Sequence, residues 1–175
     1  MIKWKPIKFI GGERINLIRC EEKYKHDIFE YCSDEKINYF LSFEVHKSIT
    51  DTEKNIQEYY LNEPEGKFLI QLKKNNKVIG AINIRSYEKD YGIGYVVNKN
   101  FQNLGYCTEA VKTLTDFAFE KFKYKKIYAL HDIENVPSER VMEKAGFIKT
   151  GMYYDTINKY NKPSKDCVHL KKLQS

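Results

Sequence analysis

Two stretches of the chain carry residue types at spacings that could do chemistry. In the first, "YGIGYVVNKNFQNLGYCTEAV", an alternating apolar run becomes a polar knot around Gly105 and then takes up helical spacing. A strand that turns through a glycine into a helix leaves the first N–H groups of the helix free at the turn, where they attract phosphate. A glycine that only supplies a tight turn with positive φ is the plainer alternative. The familiar phosphate loops are absent: there is no GxxxxGK[ST], and Gly92 and Gly94 lie inside the strand. In the second stretch, "HDIENVPSERVMEKAGF", Asn135 and Ser138 stand at the start of a short helix. Helix-start hydrogen bonding explains both, and a serine hydroxyl there is also a weak proton donor. Candidate bases are His131, Asp132 and Glu134 near this strand end, with Glu44 and His46 in an earlier aromatic segment; each reads first as a surface residue.

The elements that must position these residues follow from periodicity. "RINLIRC" alternates as a strand, and Tyr24, Ile28, Tyr31 and Cys32 recur at helical spacing. After the aromatic stretch "INYFLSFEVHKS" comes a second helix, "TDTEKNIQEYYLNEP", where Thr50 and Glu53 have capping-box spacing. "KFLIQLKK" and "KVIGAINIRS" form a hairpin around Asn75 and Asn76, and "YGIGYVV" adds a third strand after a short turn. Ala110, Val111, Leu114, Phe117, Ala118 and Phe122 mark the strongest helix. "KKIYALHD" is a strand, "PSERVMEKA" a helix with Pro137 in its first turn and Gly146 as its cap, and "FIKTGMYY" and "CVHLKKL" a closing hairpin. The order β-α-α-β-β-β-α-β-α-β-β is a mixed α/β sheet.

Length and charge bound the remainder. The 175 residues, 42% hydrophobic and 31% charged, are the size of one domain, spanning 1–175. A net charge of +6 asks for an acidic partner such as a phosphorylated cofactor, but the lysines are dispersed, which disfavours a dedicated nucleic-acid surface. Cys20, Cys32, Cys107 and Cys167 are far apart in sequence and form no CxxC or Cys/His cluster, so no metal is expected. The opening "MIKWKPIKFIGG" is broken by Lys3, Lys5, Pro6 and Lys8, and no run approaches a membrane span. The expectation is a cytoplasmic protein without membrane contact.

The knot also resembles a known family, the GCN5-related N-acetyltransferases, and within it the ribosomal-protein N-terminal-alanine acetyltransferases. Gln102, Asn103, Leu104, Gly105, Tyr106 and Cys107 fall on that family's Q/R-x-x-G-x-G/A loop, and Thr108, Glu109 and Ala110 continue it. "NVPSERVMEKAGF" is similar to that branch's N-x-x-S-x-x-V-x-x-K-x-GF segment, and the likeness extends to "ERINLIRC" and Asp166. It implies a mostly antiparallel sheet of about seven strands flanked by helices, with acetyl-CoA as cosubstrate and no metal. It places the pyrophosphate at the 102–108 loop and the pantetheine arm against backbone groups freed near Val96 and Val97, where a bulge splays their strand from its parallel neighbour. Asn135 would bond the pantetheine and Ser138 would serve the departing thiolate. Cys107 departs from the family's small glycine or alanine; its thiol must turn away from the phosphates and is expected to face the core. A nucleophilic Cys107 has no evident base beside it.

The implied reaction is direct acetyl transfer to a primary amine, with a protein N-terminus as first acceptor. An α-amine with a pKa of about 7.7 to 8.0 is partly neutral at cellular pH, whereas a lysine amine near about 10.4 is almost wholly charged, so the former tolerates a weak base. Small amines (polyamine or aminoglycoside) are the close alternative, and a noncatalytic acyl-CoA-binding domain is the alternative of another class. Association into a homodimer is left open.

Overall fold

The computed structural model describes Trp4, residues 6–87 and residues 90–173, with the backbone alone described at Tyr87. Eight strands form one sheet in the order β1-β2-β3-β4-β5-β6-β8-β7. They are β1 (Phe9–Gly11), β2 (Ile15–Ile18), β3 (Lys67–Leu72), β4 (Val78–Tyr87), β5 (Asp90–Val97), β6 (Lys126–Asp132), β7 (Ile148–Ile157) and β8 (Pro163–Lys172). All neighbours are antiparallel except β5 and β6. The mixed, mostly antiparallel sheet is the one expected, with β1 as an additional strand. Only Ile10 of its three residues is buried, so no alternation betrays it.

Helices cover both faces. On one lie α1 (Lys25–Cys32), the single turn α2 (Glu35–Asn38), and α3 (Ile49–Asn55), which widens into a π-helix over Ile56–Leu61. Ile28, Tyr31, Ile56 and Tyr60 pack there against Leu69, Val78 and Ala81. On the other lie α4 (Tyr106–Phe122) and α5 (Val136–Lys144), over a larger core that includes Ile70, Ile82, Ile93, Leu114, Ile127 and Met142. The amphipathic face of α4 is the one its sequence predicts, with Ala110, Val111, Leu114 and Ala118 fully buried. The capping box of α3 is one pair earlier than expected. Ser48 Oγ accepts from the Asp51 N–H and Asp51 Oδ2 accepts from the Ser48 N–H, so Thr50 and Glu53 fall inside the helix. The short turn expected before β5 falls on Glu88 and Lys89, which lie outside the described residues.

Gly80 in β4 decides how closely β4 can lie against the end of β5. A Cβ there would stand 2.2 Å from the Val96 carbonyl oxygen and 3.0 Å from Val97 Cα, both backbone atoms that cannot rotate aside. Gly80→Ala is therefore expected to cost about 1–3 kcal/mol, the range for overpacking, with the urea midpoint lowered and the slope m unchanged. A wild-type midpoint would show that β5 is not held here.

Candidate functional site

The site begins where the parallel pair comes apart. β5 and β6 pair at Tyr91↔Ile127, Gly92↔Tyr128 and Ile93↔Ala129 and no further, although both strands continue. Past Ile93, β5 stays paired to β4 through Gly80↔Val97, and past Ala129, β6 stays paired to β8 through Asp132↔Asp166. A slot therefore opens between them, with Val96 and Val97 on its β5 side. The register between β4 and β5 is one-to-one throughout, so the divergence occurs without the bulge expected from sequence. Side chains alternate: Ile93, Tyr95 and Val97 belong with the core beneath α4 and α5, and Val96 with the core beneath α1 and α3.

At the end of β5 the chain passes through a short 3₁₀ turn, Lys99–Phe101, capped by Asn98, into the glycine knot. Asn103 and Gly105 adopt left-handed conformations, with φ of 60° and 82°, and Gly105 is the N-cap of α4. The first intrahelical bond runs from Glu109 N to the Gly105 carbonyl, so the N–H groups of Tyr106, Cys107 and Thr108 have no intrahelical acceptor. Gln102 turns back, donating from Nε2 to the Val97 carbonyl at 3.2 Å, which ties the knot to β5. Leu104 is exposed, and Tyr106, Cys107 and Thr108 are half-buried.

Arg14 is the residue that sequence reasoning missed. Its Nε donates to Glu109 Oε2 at 2.8 Å and its Nη1 to the Leu104 carbonyl at 3.0 Å, and its guanidinium lies 4.5 Å over the Tyr106 ring. Glu109 Oε1 also accepts from the backbone N–H groups of Arg14 and Ile15. The β1–β2 turn is thereby bolted to the first turn of α4, and a cation stands over Gly105, whose added Cβ would lie 3.1 Å from Arg14 Nη2. The two partners are 95 residues apart, which no local pattern reveals.

On the other side of the slot, Asn135 caps α5 by accepting from the Ser138 N–H at 3.3 Å. Ser138 Oγ is not a cap: it lies 2.9 Å from the Tyr95 hydroxyl, which also donates to the Ser138 carbonyl at 3.0 Å. Burial holds the Tyr95 phenol well above its usual pKa, so it keeps its proton. Tyr95 thus links β5 to α5 across the slot.

The opposite face carries the aromatic segment after α2. Tyr39 stacks on Tyr160 from the β7–β8 turn with ring centroids 5.3 Å apart, and Lys159 Nζ donates to the Phe43 carbonyl at 2.9 Å. A pocket of about 370 Å³ lies here, lined by Glu35, Lys36, Tyr39, Phe40 and Tyr160. Of the candidate bases, His46 is buried with Nδ1 2.9 Å from Thr52 Oγ1, and desolvation lowers its pKa. His131 is buried beneath α5, and Asp132 accepts from Ser164 Oγ and from the Glu134 N–H. Neither histidine is the surface residue expected.

A family profile described as an acetyltransferase (GNAT) domain matches residues 14–148, the stretch that contains the loop, β5, β6 and the start of α5. The chain belongs to the GCN5-related N-acetyltransferases. This acetyltransferase is 31% identical over 158 residues, 87% of its length and 89% of the relative's, to the uncharacterized N-acetyltransferase YnaD of Bacillus subtilis (strain 168). The crystal structure of a GNAT-family acetyltransferase from Bacillus anthracis matches it with a TM-score of 0.85 at 29% identity, over 94% of this chain and 98% of that one. A putative ribosomal-protein-serine acetyltransferase from Vibrio cholerae shares the fold with a TM-score of 0.82 at 19% identity, over 96% and 99% of the two chains. Among the described residues of the acetyltransferase, no helix is long and apolar enough to cross a membrane.

Cys107 packs against the core beneath α4, and burial pushes its thiol up to about 12. At pH 8 its thiolate fraction, and with it its alkylation rate in the native acetyltransferase, should be roughly 10³-fold below that of a free cysteine. Iodoacetamide labelling followed by mass spectrometry checks this, and rapid native labelling at Cys107 would restore the nucleophile reading.

Proposed function

We propose that the chain transfers the acetyl group of acetyl-CoA directly to a primary amine, with a protein N-terminal α-amine as the acceptor. The observation that carries this reading is the end of β5/β6 pairing at Ile93↔Ala129, with the free N–H groups of α4 at the same end of β5. The β6-facing edge of β5 beyond Ile93, along Val96 and Val97, has no strand beside it, although Gln102 holds the Val97 carbonyl, and this edge suits an amide-bearing pantetheine arm, which would add to β5 much as a strand does. The knot formed by Gln102, Asn103, Leu104, Gly105, Tyr106, Cys107 and Thr108, with Arg14 above it, suits a pyrophosphate: backbone donors, a helix N-terminus and a cation converge. Asn135 contributes from the facing helix start. Bound acetyl-CoA supplies the thioester whose acetyl group is transferred.

Within the chain, Ser138 holds the proton for the leaving side. The single Tyr95 phenol hydrogen goes to the Ser138 carbonyl, so Ser138 Oγ–H donates to the Tyr95 oxygen and is held beside the slot, from which it turns to meet the leaving thiolate. An α-amine suits the acceptor side because it needs little help to lose its proton, and neither His46 nor His131 offers an exposed ring nitrogen as a base. The second reading, a small cationic amine, is favoured by one feature: Glu35 beside the stacked Tyr39 and Tyr160, an anion with aromatic faces.

The deciding experiment is a thermal-shift measurement with acetyl-CoA, followed by thiol release across peptides with free N-termini, polyamines and aminoglycosides. Stabilisation with turnover on the peptides is expected. Stabilisation without turnover on any amine would make the chain a binding module, and preference for polyamines would select the second reading. Gly105→Val should lose acetyl-CoA binding while staying folded, because its φ of 82° excludes a β-branched residue and the turn must re-form. Unchanged affinity in that variant would remove the phosphate loop from the site.

Ser138→Ala should lower kcat by about 10²-fold, the lower end for a positioned acid, with acetyl-CoA affinity and stability nearly unchanged, since Asn135 and not Ser138 Oγ caps the helix. Tyr95→Phe should lower kcat in the same direction and by less. Wild-type kcat in a folded Ser138→Ala enzyme would return Ser138 to the scaffold.

A further inference from the structure

The register of β6 against β8 assembles a donor set that spacing along the chain conceals. His131 lies directly opposite Cys167, and His169, two residues further along β8, projects to the same face. The nitrogen and sulfur donor atoms of these three side chains all lie within 4.8 Å of one another. Cys167 and His169 are fully buried and His131 is 5% exposed. Among the described residues, three of the four ring nitrogens, His131 Nε2 and both nitrogens of His169, have no hydrogen-bond partner. Buried polar atoms in folded proteins are almost always satisfied, and the lone pairs here, His131 Nε2 and one nitrogen of His169, point to a ligand that bonds nitrogen lone pairs.

The remaining nitrogen defines what that ligand is. His131 Nδ1 lies 2.7 Å from the Asp132 carbonyl, which can only accept, so Nδ1 carries the proton and Nε2 presents its lone pair. A ring held by one nitrogen on a backbone carbonyl, its other nitrogen without a partner and a second imidazole 5.1 Å away between centroids, has the outer-shell arrangement of a metal-ligating histidine. We propose that His131, Cys167 and His169 form a structural site for a borderline-soft divalent cation, zinc. Two imidazoles and a thiolate match its ligand preference. Donors on one tetrahedral zinc stand about 3.4–3.6 Å apart, so the ring and thiol rotations that close the set are about an ångström each. Binding takes the sulfur as thiolate and releases its proton to solvent. Three protein donors leave one position of a tetrahedral site, which a water fills.

The β7 strand provides a way in. Lys149 pairs with His169 and Tyr153 with Cys167, so four residues of β7 span two of β8, and Thr150–Met152 bulge out beside the set. Gly151, at the crest, has a φ of 80° and open space where a Cβ would be. The bound ion would tie β6 to β8 on the sheet face that α5 covers, the helix whose start carries Asn135 and Ser138. The proposal rests on none of the acyl-transfer chemistry.

The test uses tag-free, chelator-treated full-length protein without CoA, whose thiol would compete for metal. Zinc chloride should bind at one equivalent and raise Tm by roughly 5–10 °C at a free concentration about a hundredfold above Kd. Cobalt(II) in its place should give thiolate-to-metal charge-transfer absorption. Cys167→Ala should abolish that band, and His169→Gln should weaken binding at least about tenfold, while Cys20→Ala retains both signals. The measurements on the wild-type chain decide the matter even if a variant fails to fold. A wild-type protein with no zinc-dependent Tm shift and no cobalt–thiolate band, or a band that survives Cys167→Ala, overturns the site.

Discussion

The architecture depends on one limited contact, the three-pair parallel ladder between β5 and β6. Each strand has its own antiparallel partner, β4 with eight pairs and β8 with seven, so the sheet stays continuous while its two halves diverge. The helices follow the strands. α4 leaves from the end of β5 and α5 from the end of β6, so the same divergence that frees backbone groups also sets the two helix starts on opposite sides of the opening. An inner sheet edge with unpaired N–H and C=O groups is costly unless something pairs with it. That cost is physically sensible where an extended, amide-rich ligand takes the place of a strand.

Around this opening the chain uses different kinds of bond for different purposes. At the glycine knot, Glu109 receives two backbone N–H groups and one guanidinium. The Arg14 side chain is 45% exposed, so its Coulombic attraction to Glu109 is screened and contributes little by itself. The backbone hydrogen bonds to an ionised carboxylate are worth more, about 1.5–3 kcal/mol each. Glu109 therefore fixes the β1–β2 turn to α4, and Arg14 gains a defined place from which its remaining donors face Gly105. Positive charge is thus concentrated where backbone donors already converge, which the dispersed lysines of the sequence would not suggest.

What could be read from the sequence was what depends on neighbours a few residues away. The three-and-four spacing from Ala110 to Phe122, Pro137 at the start of α5 and Gly146 after it all lie in the expected elements. Local signals failed where two local solutions compete. Ser48/Asp51 and Thr50/Glu53 both have capping-box spacing, and the choice falls to the earlier pair, with His46 bonded back to Thr52 in the turn that follows. They failed altogether where strand register or long-range contact decides. β1 has one inward residue, Arg14 meets Glu109 from the far end of the chain, Tyr95 looks like any core strand residue, and His131 meets Cys167 only because β6 and β8 pair in one register. The knot and the helix start were legible as separate motifs; their closeness across the slot was not.

The Tyr95–Ser138 link shows how such a slot can remain both closed and accessible. It crosses the gap beyond the last β5/β6 pair, so any widening of the slot lengthens it first. Each of its two neutral hydrogen bonds contributes only about 0.5–1.5 kcal/mol net, small beside the stability of about 5–15 kcal/mol of a folded domain. Opening the slot by breaking it is therefore a cheap local motion, whereas separating β5 from β4 means losing a full ladder and the packing of Ile82 and Ile84 with it. The motion is confined to the side where the two helix starts face each other. Tyr95 spans this boundary and bonds both the hydroxyl and the carbonyl of Ser138, so the orientation of Ser138 depends on the same contact that bridges the slot.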